Sequence, residues 1–183
     1  AKEALAGELG TEVSLQLSRR NKGVFQVTLE RAQIEIPAVT YNLQEDGSHR
    51  IGYIKLDEFS SHATEQMKLA IEDLGQQEVS GYVLDLRGNP GGLLFASVDI
   101  ARLWLKKGEI VSTVDRRGGD RHFLANGTSL TDLPLVILVN EWSASASEIL
   151  AGALKENGRA TVVGTSTYGK GCLLYTSPSP RDR

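Results

Sequence analysis

From residue 51 to residue 165 the sequence alternates between short apolar runs and segments whose apolar residues recur at helical spacing. Buried strands are near-continuous apolar runs, whereas a helix that packs on a sheet is apolar on one face only. Four runs have the strand character, namely 51–59, 81–87, 134–140 and 160–165. This alternation predicts an α/β structure in which helices cover a sheet.

Three helices are predicted between these strands, each from apolar residues spaced three or four positions apart. Their predicted buried faces are Ala63, Met67, Ala70, Ile71 and Leu74; then Leu94, Val98, Ala101 and Leu105; and finally Ala146, Ile149, Leu150, Ala153 and Leu154. Asn157-Gly158 should end the third helix, because glycine readily adopts the left-handed conformation that closes many helices.

Residues 1–36 have a different pattern, with two alternating runs and no strand–helix repeat. The runs 13–20 and 24–32 flank Asn21-Lys22-Gly23, which predicts a β-hairpin. A hairpin alone cannot bury a core, and Pro37 indicates a boundary because proline interrupts a strand ladder. We therefore expect a small unit that ends near residue 36.

Composition excludes several classes of function. The 183 residues carry a net charge of −3, which gives no electrostatic basis for binding nucleic acid or an anionic membrane surface. No run approaches the roughly 18 apolar residues that cross a bilayer. One cysteine and three scattered histidines argue against a structural zinc site or a disulfide framework.

The character of the sequence changes at Cys172. The run CLLYTSPSPRD contains two Ser-Pro pairs and has neither helical nor strand periodicity. Codon for codon, it matches the translation of a common transposon-type sequencing adapter, so we expect residues 172–183 to be a non-native tail. The alternative is a native proline-rich tail.

A glycine-rich loop, DLRGNPGG, spans residues 85–92 after the second predicted strand. Glycine permits positive φ angles and lets backbone N–H groups come close to a ligand, and the start of the following helix adds partial positive charge. Such a loop can hold an oxyanion or a phosphate, or it can simply connect strand to helix. The pattern is neither a P-loop nor GxGxxG, so it does not favour nucleotide binding.

A serine-rich segment, SASASE, spans residues 143–148 between a strand and a helix. Ser145 and Glu148 have the spacing of a capping box, and Ser143 is an equally good N-cap. Alternatively, Ser145 is a nucleophile whose oxyanion would lie against the N–H groups of the helix. The local sequence by itself favours capping.

Four segments together resemble the carboxy-terminal processing (tail-specific) serine peptidases, especially the photosynthetic-bacterial and plastid members. They are GYIKL, LDLRGNPGG, SASASEI and YGKG, in this order and at this spacing. The resemblance implies that Ser145 is the nucleophile and that Lys170, 25 positions later, is its general base. It further implies an oxyanion hole formed by the N–H groups of Gly91 and Ala146, with no metal and no organic cofactor.

The resemblance also implies the fold and the setting. It predicts a crotonase/ClpP-like layered protease core over residues 37–171, preceded by the C-terminal part of a PDZ domain over residues 1–36. The reaction would be cleavage near protein C-termini through an acyl-enzyme, on protein or peptide substrates with exposed C-termini. Nucleic acid is not a predicted partner, and the predicted location is extracytoplasmic, in the periplasm or the thylakoid lumen.

The chemistry of a Ser–Lys pair sets a further expectation. A serine hydroxyl is a poor nucleophile until a base takes its proton, and a lysine serves as that base only when its ammonium form is destabilised by burial. We therefore expect Lys170 to be desolvated. Asp85 and Arg87 are interpreted as supports of the glycine loop, and Glu148 as a partner of the helix N-terminus.

Two other classes of function compete with the peptidase hypothesis. Acyl-CoA hydratases share a related fold and hold a thioester oxyanion in a glycine loop, but they do not need a serine and a lysine at this separation. A catalytically inactive binding module is the other alternative. The presence of both Ser145 and Lys170 argues against it.

The family usually has a glutamine four residues after the lysine, where this sequence has Leu174. Because that glutamine would support the lysine amine, we expect the 183-residue chain itself to be inactive and its full-length parent to cleave peptides. A peptidase assay on the purified chain tests this expectation. Hydrolysis that is lost in Ser145→Ala would contradict it.

Overall fold

The computed structural model describes residues 5–21, 23–32, 37–114 and 119–170. The chain divides into two compact units, Ala1–Ile36 and Pro37–Arg183. The tail predicted from Cys172, including Leu174, lies outside the described residues.

The first unit contains the predicted hairpin. Strand β1 (Glu12–Arg19) pairs antiparallel with strand β2 (Gly23–Glu30), with Arg19 opposite Gly23 at the turn. The assignment of this unit to a PDZ domain stays a prediction.

The described residues of the second unit form seven strands in two sheets. In chain order they are β3 (Val39–Asp46), β4 (His49–Leu56), β5 (Gly81–Asp85), β6 (Glu109–Val114), β7 (Asp120–Leu124), β8 (Leu135–Val139) and β9 (Thr161–Gly164). The main sheet has the order β3-β4-β5-β8-β9, in which β3 is antiparallel to β4 and the remaining neighbours are parallel. Strands β6 and β7 form a separate antiparallel pair.

In the described part of this unit, three helices accompany these strands, as the apolar spacing predicts. They are α1 (Ala63–Gln76), α2 (Leu94–Trp104) and α3 (Ala146–Glu156). The whole predicted face of α1 is buried, and so are Leu150 and Leu154 of α3. Leu105 is buried as well, although it follows the last residue of α2. The predicted α/β architecture is confirmed.

The strand β3 and the hairpin β6–β7 are absent from the sequence-based prediction. Strand β3 lies at the edge of the main sheet, where only Val39 is buried and most of its other residues are exposed. In β7 no residue is fully buried. In β3 the apolar residues Val39, Tyr41 and Leu43 do alternate with polar ones, so the pattern of this strand was detectable, whereas β7 has no such alternation.

The parallel strands bring three loops to one edge of the sheet. The glycine loop follows β5, the serine segment follows β8, and the segment that leads to Lys170 follows β9. These three strands are neighbours in the sheet and run in the same direction. Their carboxyl ends therefore lie side by side, which is where α/β sheets usually place their sites. None of the described helices is long and apolar enough to cross a membrane.

Helix α1 offers a matched test of this packing. Leu74 is completely buried against the sheet, whereas Leu69 on the same helix is 52% exposed. Leu74→Ala should lower the free energy of unfolding by about 2–5 kcal/mol, because it leaves a cavity, and Leu69→Ala should change it by less than about 0.5 kcal/mol. Urea unfolding of the two variants measures the difference. Equal effects would contradict the assignment of the core face.

Candidate active site

Ser145 has a strained backbone at the turn between β8 and α3. It is the N-cap of α3, with φ of 57° and ψ of −113°, whereas N-caps normally have extended angles. Its N–H donates to the Glu148 carboxylate, as in a capping box, so capping and a catalytic role are compatible. Capping does not require this backbone, however. Strain of this kind persists only where the surroundings enforce it, and it concentrates at functional sites.

The three serines of the segment have different environments. Ser143 is fully buried, and its hydroxyl donates to the carbonyl of Leu86 at 2.7 Å. Ser147 is also fully buried, and its hydroxyl donates to the carbonyl of Asn89 at 3.0 Å. Ser145, between them, is half-buried. The outer serines therefore fix the segment to the glycine loop, and the middle one keeps access to solvent.

Gly91 packs directly against this serine. It has a φ of 102°, and a Cβ built on it would lie 2.7 Å from the carbonyl oxygen of Ala144, 2.9 Å from the Cβ of Ser145 and 3.0 Å from the nitrogen of Ala146. No side chain fits in that space, and the positive φ disfavours any other residue. Gly91→Ala should therefore separate the loop from the serine.

The N–H groups of the loop have distinct directions. The N–H of Gly91 donates to the Oδ1 of Asn89 at 2.8 Å, and the carbonyl of Gly91 accepts from Phe59 at 3.0 Å. Because a trans peptide is planar, the N–H of Gly92 points away from Phe59. Within the described ranges, neither this N–H nor that of Ala146 has a hydrogen-bond acceptor. Standard bond lengths place the nitrogens of Gly92 and Ala146 within roughly 7 Å of each other, because a Cβ built on Gly91 would lie 3.0 Å from the nitrogen of Ala146.

An ion pair between a buried carboxylate and an exposed guanidinium stands at the start of the loop. Asp85 is 1% exposed and accepts from the guanidinium of Arg87 at 2.6 Å and from the hydroxyl of Tyr53 at 2.5 Å. Burial raises the pKa of Asp85, but the hydrogen bonds from Arg87 and Tyr53 outweigh it and hold the pKa below its ordinary value. The carboxylate thus anchors the loop where β5 ends.

Glu148 joins the serine to the segment that carries the lysine. Its Oε2 accepts from the backbone N–H of Ser145 at 2.8 Å and from that of Lys170 at 2.9 Å. Its Oε1 accepts from the hydroxyl of Thr167 at 2.8 Å and from the N–H of Gly169 at 2.7 Å. The carboxylate therefore does more than cap the helix, because it holds both predicted catalytic residues by their backbones.

These four donors also set the ionisation of Glu148. Burial raises its pKa, but the hydrogen bonds from Thr167, Ser145, Gly169 and Lys170 lower it below the ordinary value of 4.5. The group is therefore ionised at neutral pH. No sequence pattern indicates the contacts with Thr167, Gly169 and Lys170, because they depend on the return of β9 beside β8.

Lys170 is placed beside the serine segment by its backbone, but its side chain is exposed. The desolvation expected from the sequence is not present in this structure. Tyr168 also attaches the segment that leads to Lys170 to the serine segment, since its N–H donates to the carbonyl of Ser143 at 3.0 Å. The rings of Tyr168 and Trp142 are 66% and 63% exposed, so neither belongs to the core.

Chemically, the site offers a half-buried hydroxyl, two backbone N–H donors and a nearby lysine segment. Backbone N–H groups at the start of a helix suit a developing negative oxygen. Among the described residues no group of three or more His, Cys, Asp or Glu side chains could hold a metal ion.

The fold agrees with comparisons to known proteins. The model of peptidase family S41 matches residues 50–181, and the chain belongs to that family. The matched range ends inside the segment from Cys172 that we expect to be non-native.

Individual relatives give the same result. The chain is 48% identical over 171 residues to the carboxyl-terminal-processing protease of Synechocystis, covering 92% of this chain and 40% of that protein. It is 44% identical to the chloroplastic carboxyl-terminal-processing peptidase 3 of Arabidopsis thaliana, covering 93% of this chain and 35% of that protein.

A solved structure of a photosystem II D1 C-terminal processing protease superposes with a TM-score of 0.70 at 35% identity, covering 91% of this chain and 47% of that one. The chain therefore spans less than half the length of these relatives.

The role of Glu148 is tested by replacing its carboxylate with an amide. At pH 7, Glu148→Gln should lower the free energy of unfolding by roughly 1.5–3 kcal/mol, because hydrogen bonds to a charged group are removed and an NH₂ faces N–H donors. The native pKa lies below 4.5, so ionisation stabilises the fold above pH 4.5. The difference from wild type should shrink as pH falls through the native pKa.

Glu156→Gln is the matched control, because Glu156 is exposed in the last turn of the same helix. Thermal or urea unfolding between pH 3 and pH 8 provides the comparison. Equal losses of stability in the two variants, or a loss for Glu148→Gln that does not depend on pH, would contradict the role of Glu148 as a clamp.

Proposed function

We propose that the full-length protein is a serine endopeptidase that cleaves near protein C-termini, with Ser145 as nucleophile and Lys170 as general base. The observation that carries the proposal is the strained, half-buried Ser145, which shares one carboxylate with the backbone of Lys170. Strain at a strand-to-helix turn presents a hydroxyl toward a substrate, as in other nucleophile turns. Membership of peptidase family S41 supports the same reaction class.

The proposed reaction proceeds through an acyl-enzyme. The neutral amine of Lys170 takes the proton of the Ser145 hydroxyl, and the oxygen attacks the carbonyl carbon of the scissile peptide. The resulting lysine ammonium then protonates the leaving amine, and water hydrolyses the ester. Because the Lys170 side chain is exposed in the free protein, we propose that the bound substrate excludes water from the amine and so favours its neutral form.

The tetrahedral intermediate carries a negative oxygen that needs donors. The N–H of Ala146 is proposed as the first, as the family resemblance implies. For the second, the bonding of the loop favours Gly92 over the expected Gly91, because the N–H of Gly91 already donates to Asn89 while that of Gly92 is directed away from Phe59. Loss of one such donor typically costs about 2.7–4 kcal/mol of barrier.

The relatives support a proposed setting, and the family resemblance supports a proposed mode of substrate delivery. Those named above include cyanobacterial and chloroplastic processing proteases, so we propose an extracytoplasmic location, in the periplasm or the thylakoid lumen. A PDZ domain, of which residues 1–36 would be the last part, would capture protein C-termini by strand addition. A crotonase/ClpP-like description of the core belongs to the same proposal.

Hydrolysis of a peptide with a free C-terminus by full-length protein tests the dyad. Ser145→Ala should abolish it, and Lys170→Ala should lower kcat by about 10²–10⁴-fold, the usual contribution of a general base. Ser166→Ala and Lys155→Ala are matched controls at exposed positions and should keep wild-type rates.

The same assay separates the competing classes of function. Peptide hydrolysis that survives Ser145→Ala would exclude Ser145 as the nucleophile. Conversion of an acyl-CoA thioester without any peptide cleavage would favour a hydratase-like site, in which the loop alone polarises the thioester. A full-length protein that binds C-terminal peptides but never cleaves them would indicate a binding module. Lys170→Ala with unchanged kcat would remove the lysine from the mechanism.

A further inference from the structure

Asn89 is a buried polar residue that the proposed mechanism leaves without a role. It is completely buried. Its side-chain Nδ2 donates to the carbonyl of Leu56 at 2.8 Å, and its Oδ1 accepts from the N–H of Gly91 at 2.8 Å. The amide therefore acts as a donor through its nitrogen and as an acceptor through its oxygen.

The main chain of Asn89 makes a second set of contacts. Its carbonyl accepts from the N–H of Ala144 at 3.0 Å and from the hydroxyl of Ser147 at 3.0 Å. These donors lie on either side of Ser145. One residue thus connects the end of β4, the glycine loop and both flanks of the candidate nucleophile.

The two sets of contacts have different chemical requirements. Any residue at position 89 supplies the carbonyl, but only an amide both donates to Leu56 and accepts from Gly91. An aspartate keeps the acceptor but, unless it is protonated, has no donor, and alanine has neither. The side chain closes an Asx turn over Pro90, which has no N–H of its own.

This turn fixes the peptide group that contains the second proposed oxyanion donor. With the N–H of Gly91 held by Asn89 and its carbonyl held by Phe59, rotation about the bonds on both sides of Gly91 is constrained. The next peptide then has one orientation, with the N–H of Gly92 directed away from Phe59. Oxyanion donors act through such fixed orientation, because no reorganisation is needed when charge develops.

We infer that Asn89 is a positioning residue of the oxyanion hole: its carboxamide sets the direction of the Gly92 N–H relative to that of Ala146. The inference rests on the proposed function, and it adds a residue that acts through the loop without touching the substrate.

The test uses full-length protein and three measurements, namely kcat, KM and inhibition by a peptide aldehyde whose hemiacetal oxygen occupies the oxyanion hole. Asn89→Ala should lower kcat by about 10²-fold, as for the loss of an oxyanion donor, and change KM by less than about threefold. The inhibition constant of the aldehyde should rise by a factor similar to the fall in kcat, because both report binding of the tetrahedral state. Asn89→Asp should retain more activity than Asn89→Ala but less than wild type.

Asn126→Ala is the matched control, because Asn126 closes a different turn in the β7–β8 connection by accepting from the hydroxyl of Thr128 at 2.6 Å. It should leave all three values unchanged. A purely structural role for Asn89 predicts a lower melting temperature and less folded protein, with unchanged kcat and aldehyde affinity for each folded molecule. That result would overturn the inference.

Two further outcomes are decisive. If Asn89→Ala does not fold, Asn89→Asp takes its place. An ionised aspartate cannot donate to the carbonyl of Leu56, so a wild-type kcat in that variant would also overturn the inference. Full activity in Ser145→Ala, measured in parallel, would instead overturn the proposed function on which the role of Asn89 rests.

Discussion

The carbonyl of Asn89 holds the glycine loop and the serine segment together at the ends of two neighbouring parallel strands. It receives the N–H of Ala144 and the hydroxyl of Ser147, so the backbone on both sides of Ser145 is fixed to the loop. The hydroxyl of Ser143, which donates to the carbonyl of Leu86, forms a further bond between the same two loops. These contacts allow the close approach of Gly91 to Ser145 and Ala146. That approach brings the N–H groups of Gly92 and Ala146 near each other.

The same contacts account for the strain at Ser145. A residue in a sparsely populated region of φ/ψ space lowers stability by about 1–3 kcal/mol. Each buried hydrogen bond raises stability by roughly 0.5–1.5 kcal/mol. The hydroxyls of Ser143 and Ser147 and the carboxylate of Glu148 together supply enough to hold the turn. Alternate serines therefore have different roles, since the outer two stabilise the turn and the middle one is left for chemistry.

Much of this architecture could be predicted from the sequence, because buried strands and amphipathic helices have strong patterns. The face of α1 and the strand 135–139 are examples, and the family resemblance pointed to Ser145 and Lys170. The attachment of Lys170 to Glu148 could not be predicted, since it joins residues on different loops through β8 and β9. Gly91 was expected to be an oxyanion donor, but its N–H already donates to the side chain of Asn89. The expected burial of Lys170 differs from its exposed side chain, because lysine burial depends on contacts that periodicity does not reveal.

A fluorophosphonate reacts only with an activated serine and leaves a covalent mass on it. Treatment of active full-length protein, followed by proteolysis and tandem mass spectrometry, therefore locates the nucleophile directly. A single adduct on Ser145, greatly slowed when Lys170 is replaced, is the expected result. An adduct on Ser143 or Ser147, or undiminished labelling after Ser145 is removed, would contradict the assignment of the strained turn as the catalytic centre.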